Sequence, residues 1–108
     1  MLSVLIDDIR DLPGMDVIIR DPEIAVELFT QLYLLAYDTK QALHLYLDND
    51  MGKPTEGIHI LQEIISNDTL PDRVTLVTSN PVARERMKSS LAHEGYRVHP
   101  NGFEFILN

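Results

Sequence analysis

Three short polar clusters in this sequence each follow directly on an apolar run, and each carries side chains that could bind a cation or an anion. The clusters are Asp7-Asp8 after residues 4–6, Asp48-Asn49-Asp50 after residues 45–47, and Thr78-Ser79-Asn80 after residues 74–77. If the apolar runs are parallel strands of one sheet, all three clusters emerge at its carboxyl edge, where open α/β sheets bind ligands. The sequence therefore predicts that two acidic clusters and one hydroxyl and amide cluster converge on one site.

The carboxylates of Asp7, Asp8 and Asp48 would repel one another if they were packed together without a cation. Oxygen-rich sites of this kind suit Mg²⁺, Mn²⁺ or Ca²⁺. Asp50 offers either a further carboxylate or its main-chain carbonyl. The alternative is that each aspartate merely ends its strand by accepting hydrogen bonds from nearby amides. Three aspartates at equivalent strand ends favour a metal site over that local role.

The segment around Ser79 and Asn80 leads into a helix whose N-terminal amides would point toward the same pocket and could bind phosphate. Ser79 is the better placed to contact an anionic ligand, because Asn80 is also a typical helix cap. Arg84, about one turn into the helix, either reaches a phosphate oxygen or faces solvent. His99 ends a later apolar run and would be a proton carrier or phosphate donor, unless it is simply an exposed residue before Pro100.

Composition limits the classes of protein and of partner. A chain of 108 residues is long enough for one hydrophobic core, so a single domain over residues 1–108 is predicted. The formal net charge of −8 disfavours non-specific binding to nucleic acid. The absence of cysteine excludes disulfides and thiolate chemistry, and no P-loop or dinucleotide fingerprint is present. No apolar stretch approaches the ~18 residues of a membrane span and no signal segment is recognised, so a cytoplasmic location without membrane contact is expected.

Apolar periodicity and turn residues predict alternating strands and helices. The predicted strands are residues 3–6, 17–20, 43–47, 74–78, 96–99 and 103–107, and the predicted helices are residues 22–37, 56–65 and 81–94. Asp21-Pro22 and Asn80-Pro81 each combine a cap with a proline at the first helical position. Gly57 lies early in a helix, where glycine is costly unless a ligand or another backbone approaches closely.

This alternation predicts an α/β fold with three layers, in which helices cover both faces of a mainly parallel five-stranded sheet. No helix precedes residues 103–107, so that segment is expected to pair antiparallel with residues 96–99, as an extra hairpin strand at the sheet edge. On the first helix, Phe29, Tyr33 and Tyr37 fit either the core or the surface of a homodimer, and the core is favoured.

The polar clusters resemble, in type and position, the acidic pocket of response-regulator receiver domains, with Asp7-Asp8 after the first strand, Asp48 after the third and Thr78-Ser79 after the fourth. The resemblance implies a receiver-like (flavodoxin-like) fold in which Asp8 and Asp48 hold Mg²⁺ together with the main-chain carbonyl of Asp50. In receivers the third aspartate, here Asp48, also accepts a phosphoryl group. Receivers carry a lysine before a proline at the end of strand five, where this sequence has His99-Pro100.

A narrower resemblance is to the cyclic-phosphate processing receiver-like domains, small stand-alone domains of bacteria and their phages, and it spans nearly the whole chain. Three segments carry it: Ile6-Asp7-Asp8-Ile9-Arg10, Leu47-Asp48-Asn49-Asp50-Met51-Gly52 with Glu56-Gly57 after it, and Ser79-Asn80-Pro81-Val82-Ala83-Arg84-Glu85-Arg86-Met87. They are similar to family motifs that run approximately L-D-D-x-R, L-D-H-D-x-G with a following T-G, and S-x-N-P-x-G-R-x-x-M. The resemblance implies a site formed by Asp7, Asp8, Asp48 and Asp50 as metal ligands and by Arg10, Ser79, Asn80 and Arg84 as substrate-binding residues.

The favoured function is metal-dependent hydrolysis of cyclic or terminal phosphates on nucleotides or RNA ends, with Mg²⁺ or Mn²⁺ as cofactor and with Asp8, Asp48 and His99 as catalytic residues. The chain departs from the family at Asn49, where histidine is usual, and at Glu56, where threonine is common. A metal site without that histidine lacks the best general acid or base. The alternative is therefore a non-catalytic receiver-like module that binds a phosphate ligand, a cyclic nucleotide or a protein partner in phage–host conflict. A receiver phosphorylated on Asp48 is a third hypothesis.

Overall fold

The computed structural model describes residues 1–107 and contains strands and helices in the alternation that the sequence predicts. The strands are β1 (Leu2–Ile6), β2 (Val17–Ile19), β3 (Leu43–Leu47), β4 (Arg73–Leu76), β5 (Tyr96–Val98) and β6 (Glu104–Leu107), and the helices are α1 (Pro22–Asp38), α2 (Gly57–Ser66) and α3 (Pro81–His93). Side-chain oxygens of Asp21 and Asn80 cap α1 and α3, and a proline follows each cap. Both of these predicted helix starts are therefore confirmed.

The strands lie across the sheet in the order β2-β1-β3-β4-β6-β5. The first four strands in this order pair in parallel, whereas β6 is antiparallel to both β4 and β5. The predicted mainly parallel sheet with an antiparallel C-terminal pair is confirmed. It brings the carboxyl ends of β1, β3 and β4 side by side.

The position of the C-terminal hairpin differs from the prediction, because β6 lies between β4 and β5 and leaves β5 at the edge. Phe105 of β6 is buried opposite Val74 of β4, whereas Arg97 and Val98 of β5 are exposed. The more apolar strand takes the inner place, where it is covered by neighbours on both sides. Among residues 1–107, the sheet therefore has six strands.

The three helices pack together on one face of this sheet. The main hydrophobic core combines alternate strand residues, such as Val4, with Phe29 of α1, Ile64 of α2 and Met87 of α3, and α2 contacts both α1 and α3. The receiver-like α/β fold is confirmed, but the helices form one layer and not the predicted two. The reason is that residues 7–16, between β1 and β2, form turns, and that the chain after β5 returns as a strand.

The opposite face of the sheet carries a buried histidine on β3. The rings of His44 and Tyr46 stack with centroids 4.0 Å apart, and His44 Nε2 lies 2.7 Å from Thr75 Oγ1. Burial lowers the pKa of His44 below the ordinary value for histidine, because desolvation disfavours the charged ring. The folded protein thus favours the neutral form of His44 more than the unfolded chain does.

The pH dependence of folding should reflect this histidine. As the pH falls below about 6.5, the unfolded chain binds a proton that folded His44 resists, so the free energy of unfolding decreases by up to about 1.4 kcal/mol per pH unit until the folded-state pKa is passed. His44→Gln should remove this contribution, whereas the exposed-site variant His93→Gln should retain it. Urea unfolding over a pH series measures both variants, and equal slopes in the two would contradict the assignment.

No helix within residues 1–107 combines the length and the hydropathy needed to cross a membrane.

Candidate functional site

The candidate site is an open pocket at the carboxyl ends of β1, β3 and β4. The amide of Asp48 donates to the carbonyl of Ile6 and the amide of Val77 donates to the carbonyl of Leu47, so the segments after the three strands remain side by side. The pocket has a volume of about 570 Å³ and is lined by Asp7, Asp8, Ile9, Arg10, Asp48, Asp50, Gly52 and Ser79. This is the edge at which the sequence predicts a ligand site, and the volume suits a small molecule.

The three aspartates predicted to share a cation do lie together. One carboxylate oxygen from each of Asp7, Asp8 and Asp48 falls within 4.8 Å of the other two. Separations of this size allow one ion to contact all three oxygens, and hard divalent cations prefer such ligands. The donor set is therefore chemically suited to Mg²⁺ or Mn²⁺.

Asp7 takes the local role that the sequence offers for it with one carboxylate oxygen, and its other oxygen is not used in this way. Its Oδ1 accepts hydrogen bonds from the amides of Ile9 (3.1 Å) and Arg10 (2.9 Å), which folds the loop after β1. Its Oδ2 is buried without a hydrogen-bond partner, and the residue is only 1% exposed. A buried oxygen left without a partner is costly, so the carboxylate is free to gain a ligand on the pocket side.

Arg10 is the cation nearest to this buried oxygen. Its Nη1 lies 3.4 Å from Asp7 Oδ2 and donates a hydrogen bond to the carbonyl of Val77. The guanidinium therefore contacts both the end of β1 and the segment after β4. In this position it partly balances the acidic cluster.

Asp48 is buried in the acidic pocket, and its carboxyl group is perturbed by that environment. Burial raises the pKa of Asp48, the amide of Asn49 opposes that rise, and the negative charges of Asp7 and Asp50 add to it, while Arg10 counteracts them. The deprotonated carboxylate is thus poorly stabilised in the protein alone. A bound cation would relieve that cost directly.

The loop after β3 is shaped to approach Asp8. Gly52 has φ +68°, and a Cβ built on it would lie 3.1 Å from Asp8 Oδ2. The absence of a side chain there leaves room around the carboxylate oxygen, and Gly52 borders the pocket together with the exposed Asp50. The expectation that Asp50 belongs to the site agrees with this placement.

Asn49 and Glu56, the two positions at which the sequence departs from the family motif, contact each other behind the pocket. Asn49 is buried; its Oδ1 accepts from the amide of Ile58 (3.1 Å) and its Nδ2 donates to Glu56 Oε2 (2.9 Å). Position 49 therefore faces the start of α2 and not the acidic cluster. The interpretation that Asn49 deprives the pocket of a general acid or base does not fit this orientation.

Gly57 is required by a close approach between backbones. A Cβ built at Gly57 would lie 2.8 Å from the Cα of Asn49 and nearer still to the carbonyl oxygen of Asp48. The first turn of α2 thus packs directly on the main chain that carries Asp48. The conditional prediction for this glycine, that another backbone approaches it, is confirmed.

The residues predicted to bind phosphate after β4 separate into two groups. Ser79 is exposed and lines the pocket. Asn80 Oδ1 accepts hydrogen bonds from amides in the first turn of α3 and so caps the helix. This cap occupies amides that were expected to bind phosphate. Arg84 Nη1 donates to the carbonyl of Thr78 (3.3 Å), and its guanidinium lies 5.0 Å from the ring centroid of Phe103. Neither Asn80 nor Arg84 lines the pocket.

His99 lies in the turn between β5 and β6, away from the acidic pocket. Its Nδ1 accepts from the amide of Asn101 (3.2 Å), and it is not among the residues that line the pocket. Because β6 is inserted beside β4, β5 is three strand positions from β3, a separation of about 14 Å. The sequence predicts that His99 lies in the site with Asp48, but the structure does not bring the two residues together.

Ile9 also borders the pocket, although it is not among the predicted site residues. It is strongly exposed for a large apolar side chain and lies between Asp8 and Arg10. The signal available in the sequence is an isoleucine inside a charged loop, where neither a core nor a strand requires it. Its position at the mouth of the pocket suits contact with an apolar part of a ligand.

Comparison with known families identifies one match. The model of the cyclic-phosphate processing Receiver domain matches residues 2–93, which includes β1 through α3 and all of the residues that line the pocket. The match ends before β5 and β6, so His99 lies outside it. No curated protein and no solved structure matches the chain.

Proposed function

This chain belongs to the cyclic-phosphate processing receiver domain family, and from that premise we propose that it hydrolyses cyclic or terminal phosphates on nucleotides or RNA ends in a metal-dependent reaction. The observation that supports the proposal most is the acidic cluster: three carboxylate oxygens within 4.8 Å of one another, one of them from Asp7, whose Oδ2 is buried without a hydrogen-bond partner. Because nucleotides and RNA ends occur in the cytoplasm, a cytoplasmic location is part of the proposal.

The residues that would hold Mg²⁺ or Mn²⁺ are Asp7, Asp8 and Asp48, with Asp50 at the mouth of the pocket. When bound, the metal would supply polarisation of a phosphoryl oxygen and a more acidic water. The shared negative charge of the aspartates is matched to a dication better than to the single guanidinium of Arg10.

The remaining pocket residues would bind and orient the phosphate. Arg10 is the cationic side chain among those that line the pocket, and Ser79 offers a hydroxyl. With Asp7 held by a dication, the Arg10 guanidinium would be available to donate hydrogen bonds to phosphate oxygens. Asp8, the least buried of the three clustered aspartates, is placed to accept a proton from the attacking water.

In the proposed reaction water adds across one P–O bond of a cyclic phosphate. The water oxygen bonds to phosphorus, the ring ester bond breaks, and the released ester oxygen takes up a proton to become a hydroxyl. The test is incubation of the metal-free protein with a 2′,3′-cyclic nucleotide, with and without Mn²⁺, followed by chromatography of the products. The proposal expects a phosphomonoester that forms only with metal, and unchanged cyclic nucleotide in both samples contradicts it.

A second candidate, binding without turnover, is favoured by one observation. The residues that line the pocket include no histidine, so proton transfer would depend on carboxylates alone. In the same incubation this candidate predicts stoichiometric retention of the cyclic nucleotide in the presence of Mn²⁺ and no product.

Phosphate recognition should depend on Arg10. Arg10→Gln should weaken binding of inorganic phosphate to the Mn²⁺-loaded protein by about tenfold or more, because a charge-assisted hydrogen bond contributes about 1.5–3 kcal/mol. The control is Arg86→Gln, which removes the same charge from the exposed side of α3. Calorimetric titration measures both, and equal affinities in the two variants would show that Arg10 does not contact the ligand.

A further inference from the structure

One flank of α1 is an exposed apolar stripe. Ile24, Leu28 and Leu35 are 47%, 40% and 49% exposed, and their spacing of four and seven residues aligns them along one side of a helix. Side chains of this size are normally covered when they are aligned in this way. The stripe is therefore a surface that a further apolar element would complete.

The stripe faces away from the other helices and lies beside the edge of the sheet. Val26 borders the groove between α1 and α2, and Leu28 lies about 160° around the helix from it. Because α1 packs over β1 and β2, the flank opposite α2 is the one above the outer edge of β2. The stripe and this edge strand form one continuous border of the molecule.

The edge strand β2 has outward-pointing main-chain groups and contains no charged residue, although Asp16 and Arg20 flank it. The carbonyl of Ile19 accepts from the amide of Asp7 on β1, so the N–H and C=O of its neighbour Ile18 point outward. β2 consists of Val17, Ile18 and Ile19, whereas the opposite edge, β5, contains an arginine. Natural edge strands that must stay unpaired are usually protected by charge or proline.

We propose that β2 and the apolar stripe of α1 form the interface with a second copy of this chain. Antiparallel pairing about a two-fold axis at Ile18 places Asp16 of one copy opposite Arg20 of the other, so unlike charges meet at both ends. Within each copy Asp16 accepts from the amide of Ser3 and Arg20 contacts Asp11, so the contacts across the axis would add to these. Parallel pairing would instead place like charges opposite each other. The same axis brings the two α1 stripes together above the joined sheets. The inference is independent of the proposed reaction.

Two neighbouring leucines provide a matched test. Leu34 and Leu35 are both 49% exposed, but Leu34 is rotated about 100° away from Leu35, out of the stripe. In light scattering after size exclusion, the wild-type protein should elute as a species with twice the mass of one chain. Leu35→Glu should raise the dimer dissociation constant at least about tenfold. Leu34→Glu should leave it unchanged. A monomeric wild-type protein, or equal effects of the two variants, overturns the proposal.

A cysteine at Ile18 tests the register. The chain contains no cysteine, so Ile18→Cys introduces one thiol, which the two-fold axis places next to its own copy at a distance that a disulfide can span. Mild oxidation should convert most of this variant to a covalent dimer. Val98→Cys, exposed on the opposite edge strand, should form no covalent dimer. Cross-linking in neither variant, or equally in both, contradicts pairing through β2.

Discussion

Asp48→Asn should weaken Mn²⁺ binding by about 100-fold or more while the protein stays folded. The substitution keeps the shape of the side chain but removes one of three carboxylates whose oxygens lie within 4.8 Å of one another. The amide is a much poorer ligand for a hard dication, because it contributes no negative charge. Calorimetric titration of metal-free protein with Mn²⁺ measures the effect.

The stability of the metal-free Asp48→Asn variant should equal or exceed that of the wild type. Burial and the neighbouring aspartates raise the pKa of Asp48, so its charged form is held at a cost that asparagine avoids. The control is Asp38→Asn at the exposed end of α1, which changes net charge equally and should leave Mn²⁺ affinity unaltered. An unfolded Asp48→Asn variant would mean that Asp48 is structural, and undiminished Mn²⁺ affinity would exclude it as a ligand.

Gly57→Ala should destabilise the protein by about 3 kcal/mol, the largest effect expected from adding a single methyl group here. The new Cβ would lie 2.8 Å from Asn49 Cα and closer still to Asp48 O, and both are main-chain atoms that cannot rotate aside. Either α2 or the end of β3 must move. Because the displaced main chain carries Asp48, Mn²⁺ affinity should fall together with stability.

Gly14→Ala is the matched control for this prediction. Gly14 has φ +80°, and a Cβ at this position meets nothing within 4 Å, so the cost is that of the left-handed conformation alone, about 1 kcal/mol. Urea unfolding of both variants gives the difference. Equal destabilisation would show that the backbone contact at Gly57 relaxes without cost, and would remove the link between α2 and the site.

The site could be predicted largely because it depends on local rules. A polar cluster after a buried parallel strand must emerge at the carboxyl edge, and this rule places Asp7, Asp8 and Asp48 together. Cap and proline pairs likewise gave the starts of α1 and α3. Gly57 was recognisable because a glycine that costs helix stability needs a compensating contact.

The remaining differences between prediction and structure arise from long-range packing, which local sequence patterns do not determine. His99 was expected at the pocket because a fifth strand was expected beside β4, but β6 takes that place by virtue of its more apolar side chains. The second helix layer is missing because the connections from β2 to β3, from β3 to β4 and from β4 to β5 all cross the sheet in the same direction, and right-handed crossovers then place the three helices on one face. Asn49 and Glu56 are seven residues apart in the chain, and only the folded structure shows that Asn49 Nδ2 donates to Glu56 Oε2.

The most direct test of the metal site is anomalous diffraction from crystals of the wild-type protein soaked in Mn²⁺. A single Mn²⁺ peak between the carboxylates of Asp7, Asp8 and Asp48 is expected, with the Arg10 guanidinium moved away from Asp7. A pocket without manganese density, in which Arg10 still contacts Asp7 Oδ2 and Val77 O, would contradict the metal site. In that case the arginine itself would be the permanent counter-ion of the acidic cluster.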